Sequence, residues 1–200
     1  MDEAIERGAG CLLSSEKMPI LHEEITEYPD RLLEESQPDS DHRWFVVYTR
    51  SRHEKALARH LYANSLSFYL PLVQKVQFIR GRKVRSYLPV FSSYLFYFGE
   101  APDDIAKLAP YCVSRVLPIA DQQKFLSEIQ CIHSLLDAGI ALTIEARLAP
   151  GRKVRVMSGV LQGLEGTIIR RKNGNRLLIA VSYLQQGVSV EISDFMVETI

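Results

Sequence analysis

The sequence predicts an α+β fold in two parts: an N-terminal α/β sandwich, with helices packed on an antiparallel sheet, followed by a small β barrel. Three observations carry this. The run WFVVYT from Trp44 is dense in aromatic and β-branched residues, as strands are. After it come segments with apolar residues at helical spacing, Leu57, Ala58 and Leu61 and later Phe125, Ile129, Ile132 and Leu136. Beyond residue 150 the pattern changes to short alternating runs cut by glycines.

Residues 1 to 41 mix Asp and Glu with Pro19, Pro29 and Pro38 and sustain no apolar period, so they are read as a largely disordered acidic extension, with a transient helix around Pro29 to Glu35. Order is expected from residue 42, with a first strand from Trp44. In Ser51-Arg52-His53-Glu54, Ser51 can accept from the amide of Glu54 while Glu54 reaches back, a capping box that starts a helix running to about Ser65. On that helix Leu57, Ala58 and Leu61 share one face, and Arg52, Lys55 and Arg59 the opposite one.

Two long strands are expected next, Phe68 to Ile79 and Val84 to Phe98, joined by a turn at Arg80-Gly81-Arg82-Lys83 whose tip carries three cations. A short helix around Pro102 to Leu108, a strand around Val113 to Leu117 and the helix through Phe125 and Leu136 complete a β-α-β-β-α-β-α order over residues 42–137. Residues 138–149 read as a linker punctuated by Gly139 and Pro150.

In PGRKVRVMSGVLQGLEG, Val154 and Val156 point to one face of a strand and Lys153 and Arg155 to the other. Gly159, Gly163 and Gly166 then interrupt, where the backbone needs positive φ or a close approach. After a turn at Asn173-Gly174-Asn175 the alternation returns as Leu177, Ile179, Val181 and as Val188, Val190, Ile192. Four or so strands within residues 150–200, rich in β-branched side chains, predict a barrel rather than helices.

Composition narrows the function. With 46% hydrophobic and 24% charged residues the chain is ordinary for a soluble globular protein. No apolar run approaches the ~18 residues of a membrane span, and the acidic N-terminus is unlike a signal peptide, so the expected location is cytoplasmic with no membrane partner. Cys11, Cys112 and Cys131 show no paired or metal-binding spacing and are read as free thiols, and no metal or cofactor is expected. No phosphate loop, His-Glu-x-x-His or spaced Ser/His/Asp set appears, so no catalytic residue is assigned and an enzyme is not expected. Formal net charge is +0, but it is divided: residues 1 to 41 hold twelve acidic and three basic side chains, a balance of −9, which leaves +9 on the remainder. Such asymmetry points to nucleic-acid contact.

From Gly151 through Val154-Arg155-Val156 to Gly159, Gly163 and Gly166, the C-terminal segment resembles the KOW module, an SH3-like barrel. Upstream, WFVVYTRSRHEKALARHL, the basic hairpin, PVFSSYLFYF and VSRVLP resemble in order the N-terminal domain of NusG-type transcription factors, so that the likeness covers residues 43 to 200. The Tyr48-Thr49-Arg50 stretch is closer to RfaH and the related polysaccharide-operon antiterminators. One departure stands out: Ser92-Ser93 lies between Phe91 and Tyr94 where many members have Pro-Gly.

The resemblance implies a non-enzymatic, monomeric elongation and antitermination factor. Its first domain would dock on the clamp helices of RNA polymerase through Tyr48, Phe91, Tyr94 and Phe96, aromatic anchors of the kind interfaces favour. From pattern alone Tyr94, Phe96 and Phe98 fit the core of a central strand better than a docking face, and it is the resemblance that favours docking for Tyr48 and Tyr94. Arg50, His60 and Asn64 match positions that face non-template DNA, flanked by Arg52, Lys55 and Arg59. Arg80, Arg82, Lys83 and Arg85 on the hairpin would meet upstream DNA phosphates, the alternative being a merely solvated charge run. The KOW barrel would recruit ribosomal protein S10 or Rho. An RNA-binding or ribosome-associated module is the competing reading, since aromatic sheets beside basic loops also stack single-stranded bases.

Overall fold

A computed structural model describes residues 24–100, 103–147, 149–159, 161–171, 174–192 and 197–200. The first part is a five-stranded antiparallel sheet in the order β1-β3-β6-β2-β7, formed by Glu27–Tyr28 (β1), Arg43–Thr49 (β2), Ser67–Tyr69 (β3), Tyr94–Gly99 (β6) and Val113–Pro118 (β7). Helices cover both faces. Phe45, Val47 and Leu95 pack with Leu57 and Leu61 of helix α2 (Glu54–Ala63) and with Ile105 of α3 (Asp103–Leu108). Trp44, Val46 and Phe96 pack with Phe125 and Ile129 of α4 (Gln122–Asp137). A strand sandwiched between helix layers has no solvent face, which is why β2 reads as an unbroken apolar run.

Helix α4 starts where Asp121 accepts a hydrogen bond from the Lys124 amide at 3.0 Å. Its first residue, Gln122, clamps β2 by accepting from the Trp44 amide at 2.7 Å and donating to the Trp44 carbonyl at 3.0 Å.

Four expectations are corrected here. First, the extension is not disordered throughout: although residues 1–23 lie outside the described residues, Glu24 to Asp41 are built into the domain. Strand β1 pairs with β3, and α1 (Leu32–Glu35) buries Leu32 and Leu33 at 4% and 1% exposure. Burying two leucines contributes roughly 3–6 kcal/mol toward ordering this acidic segment, alongside the pairing of β1 with β3. Second, helix α2 is not started by a capping box. His53 is its N-cap without a side-chain hydrogen bond, and Glu54, 6% exposed, accepts instead from the Ser93 amide at 2.6 Å.

Third, each long strand is two. Leu72–Ile79 (β4) and Arg82–Pro89 (β5) pair only with each other, as a ribbon separate from β3 and β6. The break falls at Pro71, which has no amide to donate, and at Ser93, held at φ 67°. Fourth, the linker is not a plain connection, because Thr143–Glu145 (β8) adds to the edge of a later strand, Gln186–Glu191 (β12).

The second part is a six-stranded antiparallel sheet in the order β13-β9-β10-β11-β12-β8. Its members besides β8 are Arg152–Val156 (β9), Glu165–Arg171 (β10), Gly174–Val181 (β11), Gln186–Glu191 (β12) and Val197–Thr199 (β13). The alternation expected from sequence is the buried face: Val154, Val156, Leu177, Ile179, Val181, Val188 and Val190 are all buried. Gly163 sits at φ 84°, and a Cβ at Gly166 would fall 2.7 Å from the Leu178 carbonyl oxygen, so one glycine serves conformation and the other close approach. Of the turn expected at Asn173-Gly174-Asn175, Gly174 and Asn175 are paired with Arg171 and Arg170, and Asn173 lies outside the described residues.

The linker strand is fastened by a polar network. Fully buried Ser189 donates to Glu145 at 2.7 Å and accepts from Arg176 Nε at 2.9 Å, Arg176 also donates to Thr143 Oγ1 at 2.8 Å, and Arg171 pairs with Glu145 at 2.9 Å. The two parts meet where Glu128 of α4 accepts from the Ser182 amide and hydroxyl, at 2.9 and 2.6 Å, in the 3-10 turn Ser182–Leu184.

Candidate functional site

Three groups of side chains emerge at the surface of the first part. One is aromatic and sits at one end of the main sheet. Tyr48 and Tyr94 face each other in register across β2 and β6, with ring centroids 5.3 Å apart, and Tyr48 is 39% exposed. Burial, then Tyr48 and Tyr183, pushes the Tyr94 hydroxyl above its ordinary pKa, which keeps it a neutral donor there. Arg115 is opposite Tyr48 on β7, and the Arg50 amide donates to the Cys112 carbonyl at 2.8 Å, which brings Arg50 beside this pair. Exposed Tyr111, which sequence reasoning missed, precedes Cys112 in the loop before β7. The only sequence signal for it is an aromatic in a short Pro-bounded connection.

Phe91 and Phe96, read from the resemblance as docking residues, are interior. Their exposures are 1% and 0%, their rings meet edge to face at 5.7 Å, and Phe96 packs on Phe125 at 5.2 Å. Strand β6 lies third of five strands, and α4 covers the face to which Phe96 points, so the core reading of that residue is the one the structure takes. Of the four aromatic candidates only Tyr48 and Tyr94 reach the surface.

The second group lies on α2. Lys55 and Arg59 share its outer face as expected, but they converge on Glu24: its carboxylate is 2.7 Å from Arg59 Nη2 and 3.8 Å from Lys55 Nζ. Glu24, only 17% exposed, partly neutralises the face that was read as basic. Arg52 precedes the helix at φ 64° and is exposed. His60 and Asn64 are both exposed at the other end of α2, where Asn64 donates its amide to the His60 carbonyl at 2.8 Å in closing the helix.

The third group is the β4–β5 ribbon. Between Leu72 and Gly99 the chain contains no Asp or Glu, while Lys75, Arg80, Arg82, Lys83 and Arg85 are all exposed and ion-paired with no described residue. The turn expected at its tip is present, with Arg80 and Gly81 at φ 50° and 76°. The structure therefore separates the sequence-predicted cations: Arg50 beside the tyrosines, Lys55 and Arg59 under Glu24, and the hairpin set on a projecting ribbon. Among the described residues no cluster of His, Cys, Asp and Glu is suited to hold a metal ion, and no helix is long and apolar enough to cross a membrane.

Residues 42–124 match the family model described as "Transcription termination factor nusG". Among curated proteins no match is found. Solved structures with similarity include "Domain interaction in Thermotoga maritima NusG", at 18% identity and TM-score 0.41, covering 80% of this chain and 97% of that one. Conformations A and B of a "MjSpt4:Spt5 complex" are similar at 15% identity and TM-score 0.24, each over 78% of this chain and over 97% and 96% of theirs. These overlaps are too loose to argue from. The family-model match runs from just before β2 to the start of α4, so it takes in four of the five sheet strands, α2, α3 and the ribbon, and leaves out β1 and α1.

Proposed function

We propose that this chain is a NusG-type transcription elongation and antitermination factor of the RfaH-like kind, cytoplasmic and without enzymatic activity. It binds RNA polymerase through the tyrosine-bearing end of its main sheet, contacts DNA through cations, and recruits a second partner, ribosomal protein S10 or Rho, through residues 150–200 acting as a KOW barrel. The observation that carries this reading is the match of residues 42–124 to the NusG family model.

The surface chemistry supports it. Tyr48 and Tyr94 offer large ring area with few rotors and hydroxyls suited to a wet rim. Arg50 and Arg115 beside them, and the acid-free ribbon, supply the charge that phosphate contact needs. Co-purification of the tagged chain from lysate treated with DNase alone tests the reading. Recovery of RNA polymerase subunits is expected; recovery of ribosomal RNA and ribosomal proteins with polymerase depleted would replace it with a ribosome-associated role.

A further inference from the structure

Phe78 is 75% exposed, near the far end of a strand whose one buried residue is Leu72 at its root. Leaving a phenylalanine in water forfeits the gain of burying its ring, and the ribbon tip carries Ile79 exposed at 52% as well. The register explains what surrounds it. Phe78 stands directly across from Lys83, and Val76 from Arg85, so these four side chains occupy one face of the ribbon. Ile79 with Arg82, and Val84, occupy the other. At about 3.3 Å per residue, eight residues carry the tip some 26 Å from the root of the ribbon. An apolar ring flanked on its own face by cations that pair with no described residue, in a stretch without a single acid, suits a partner that is flat, apolar and polyanionic.

We propose that the ribbon tip is a binding site for unpaired DNA, in which Phe78 stacks on an exposed base while Lys83 and Arg85 hold the phosphates on either side of it. Base-paired duplex would meet only the cations, because its bases are already stacked. The site rests on the DNA-contact reading above and adds to it a preference for unpaired over paired DNA.

The test measures affinity of the full chain, by fluorescence anisotropy over a range of salt, for a duplex with a central unpaired bubble, for the same duplex fully paired, and for single-stranded RNA of the bubble sequence. Phe78→Ala should lower bubble affinity about tenfold, as expected for loss of one base–aromatic stack, with less than about twofold change on paired duplex and no change in salt slope. Phe78→Trp should restore it, and 2-aminopurine in the bubble should be quenched by the wild type and not by Phe78→Ala. Equal losses on bubble and duplex, no loss on either, failure of Phe78→Trp to rescue, or tighter binding to the RNA than to the bubble would each overturn the proposal. The triple variant Arg80→Gln, Arg82→Gln, Lys83→Gln separates the two levels. An unchanged salt slope there removes the ribbon from the DNA contact altogether, whereas a flattened slope together with an inert Phe78→Ala removes only the stacking.

Discussion

Replacing Glu24 by Gln isolates the part played by the acidic segment. Deleting residues 1 to 41 would confound the question, because Leu32 and Leu33 would leave the core with them. Glutamine keeps the shape and an acceptor oxygen but frees the charge of Arg59, bonded through Nη2 at 2.7 Å and Nε at 3.3 Å, and of Lys55 at 3.8 Å. Arg59 is 62% exposed, so solvent screens the pair and the variant should lose no more than about 1 kcal/mol of stability. If both freed cations reach phosphates, the slope of log affinity for random duplex against log salt should steepen by about 1.8. The gain from the substitution should then be about tenfold larger at 50 mM than at 200 mM salt. Anisotropy titrations at four salt concentrations, with urea melts for stability, measure both quantities. Parallel slopes for wild type and Glu24→Gln would refute the claim that Glu24 masks a nucleic-acid surface, whatever the change in affinity at any one salt.

Further outcomes follow from individual contacts. Ser93→Gly should stabilise the protein by up to about 1 kcal/mol in urea melts, since a left-handed residue with a Cβ costs ~1–2 kcal/mol and the added freedom of unfolded glycine returns part of that; destabilisation would mean that the Ser93 side chain is needed. Tyr48→Ala with Tyr94→Ala should weaken polymerase binding by a few kcal/mol with the melt little changed, while Phe96→Ala should cost ~3–5 kcal/mol of stability, so comparing melts and binding for the two variants separates surface from core. Ser189→Ala should destabilise by ~1–3 kcal/mol, because Arg176 and Glu145 both lose a buried partner, and amide exchange should show β8 released from β12. Burial first, and then Glu128, pushes the Cys131 thiol up to about 11, so alkylation at pH 8 read by mass spectrometry should be on the order of a hundredfold slower at Cys131 in the folded chain than after unfolding.

Periodicity reported the elements that pack by one repeating face. The stripes at Leu57 and Leu61 and at Phe125, Ile129 and Ile132, and the alternation at Leu177, Ile179 and Val181, all became buried surfaces. It failed where one residue redirects the chain. Phe68 to Ile79 has strand propensity throughout, and only the missing amide of Pro71 lifts β4 off the sheet; Ser93 does the same at the other side with a conformation its residue type does not announce. Ser51 and Glu54 have capping-box spacing, yet Glu54 turns inward to Ser93, a partner 39 residues away that no local pattern can name.

The candidate site divided in the same way. Cations on the ribbon were legible because a hairpin has nowhere to bury them. Phe91 and Phe96 were not separable from Tyr48 and Tyr94 by residue type, since an aromatic on a central strand can serve either the core or an interface until the covering helix is known. Glu24 escaped notice as one acid among twelve, its role set by the pairing of β1 with β3 that brings it over α2.

The most direct test of the central claim is single-round transcription by purified RNA polymerase through a pause site and a Rho-dependent terminator, with wild-type chain or the Tyr48→Ala, Tyr94→Ala variant added. The wild type should change pausing or read-through at concentrations where the variant does nothing. Identical transcript patterns with wild type, variant and no addition, from polymerase shown to be active, would contradict it.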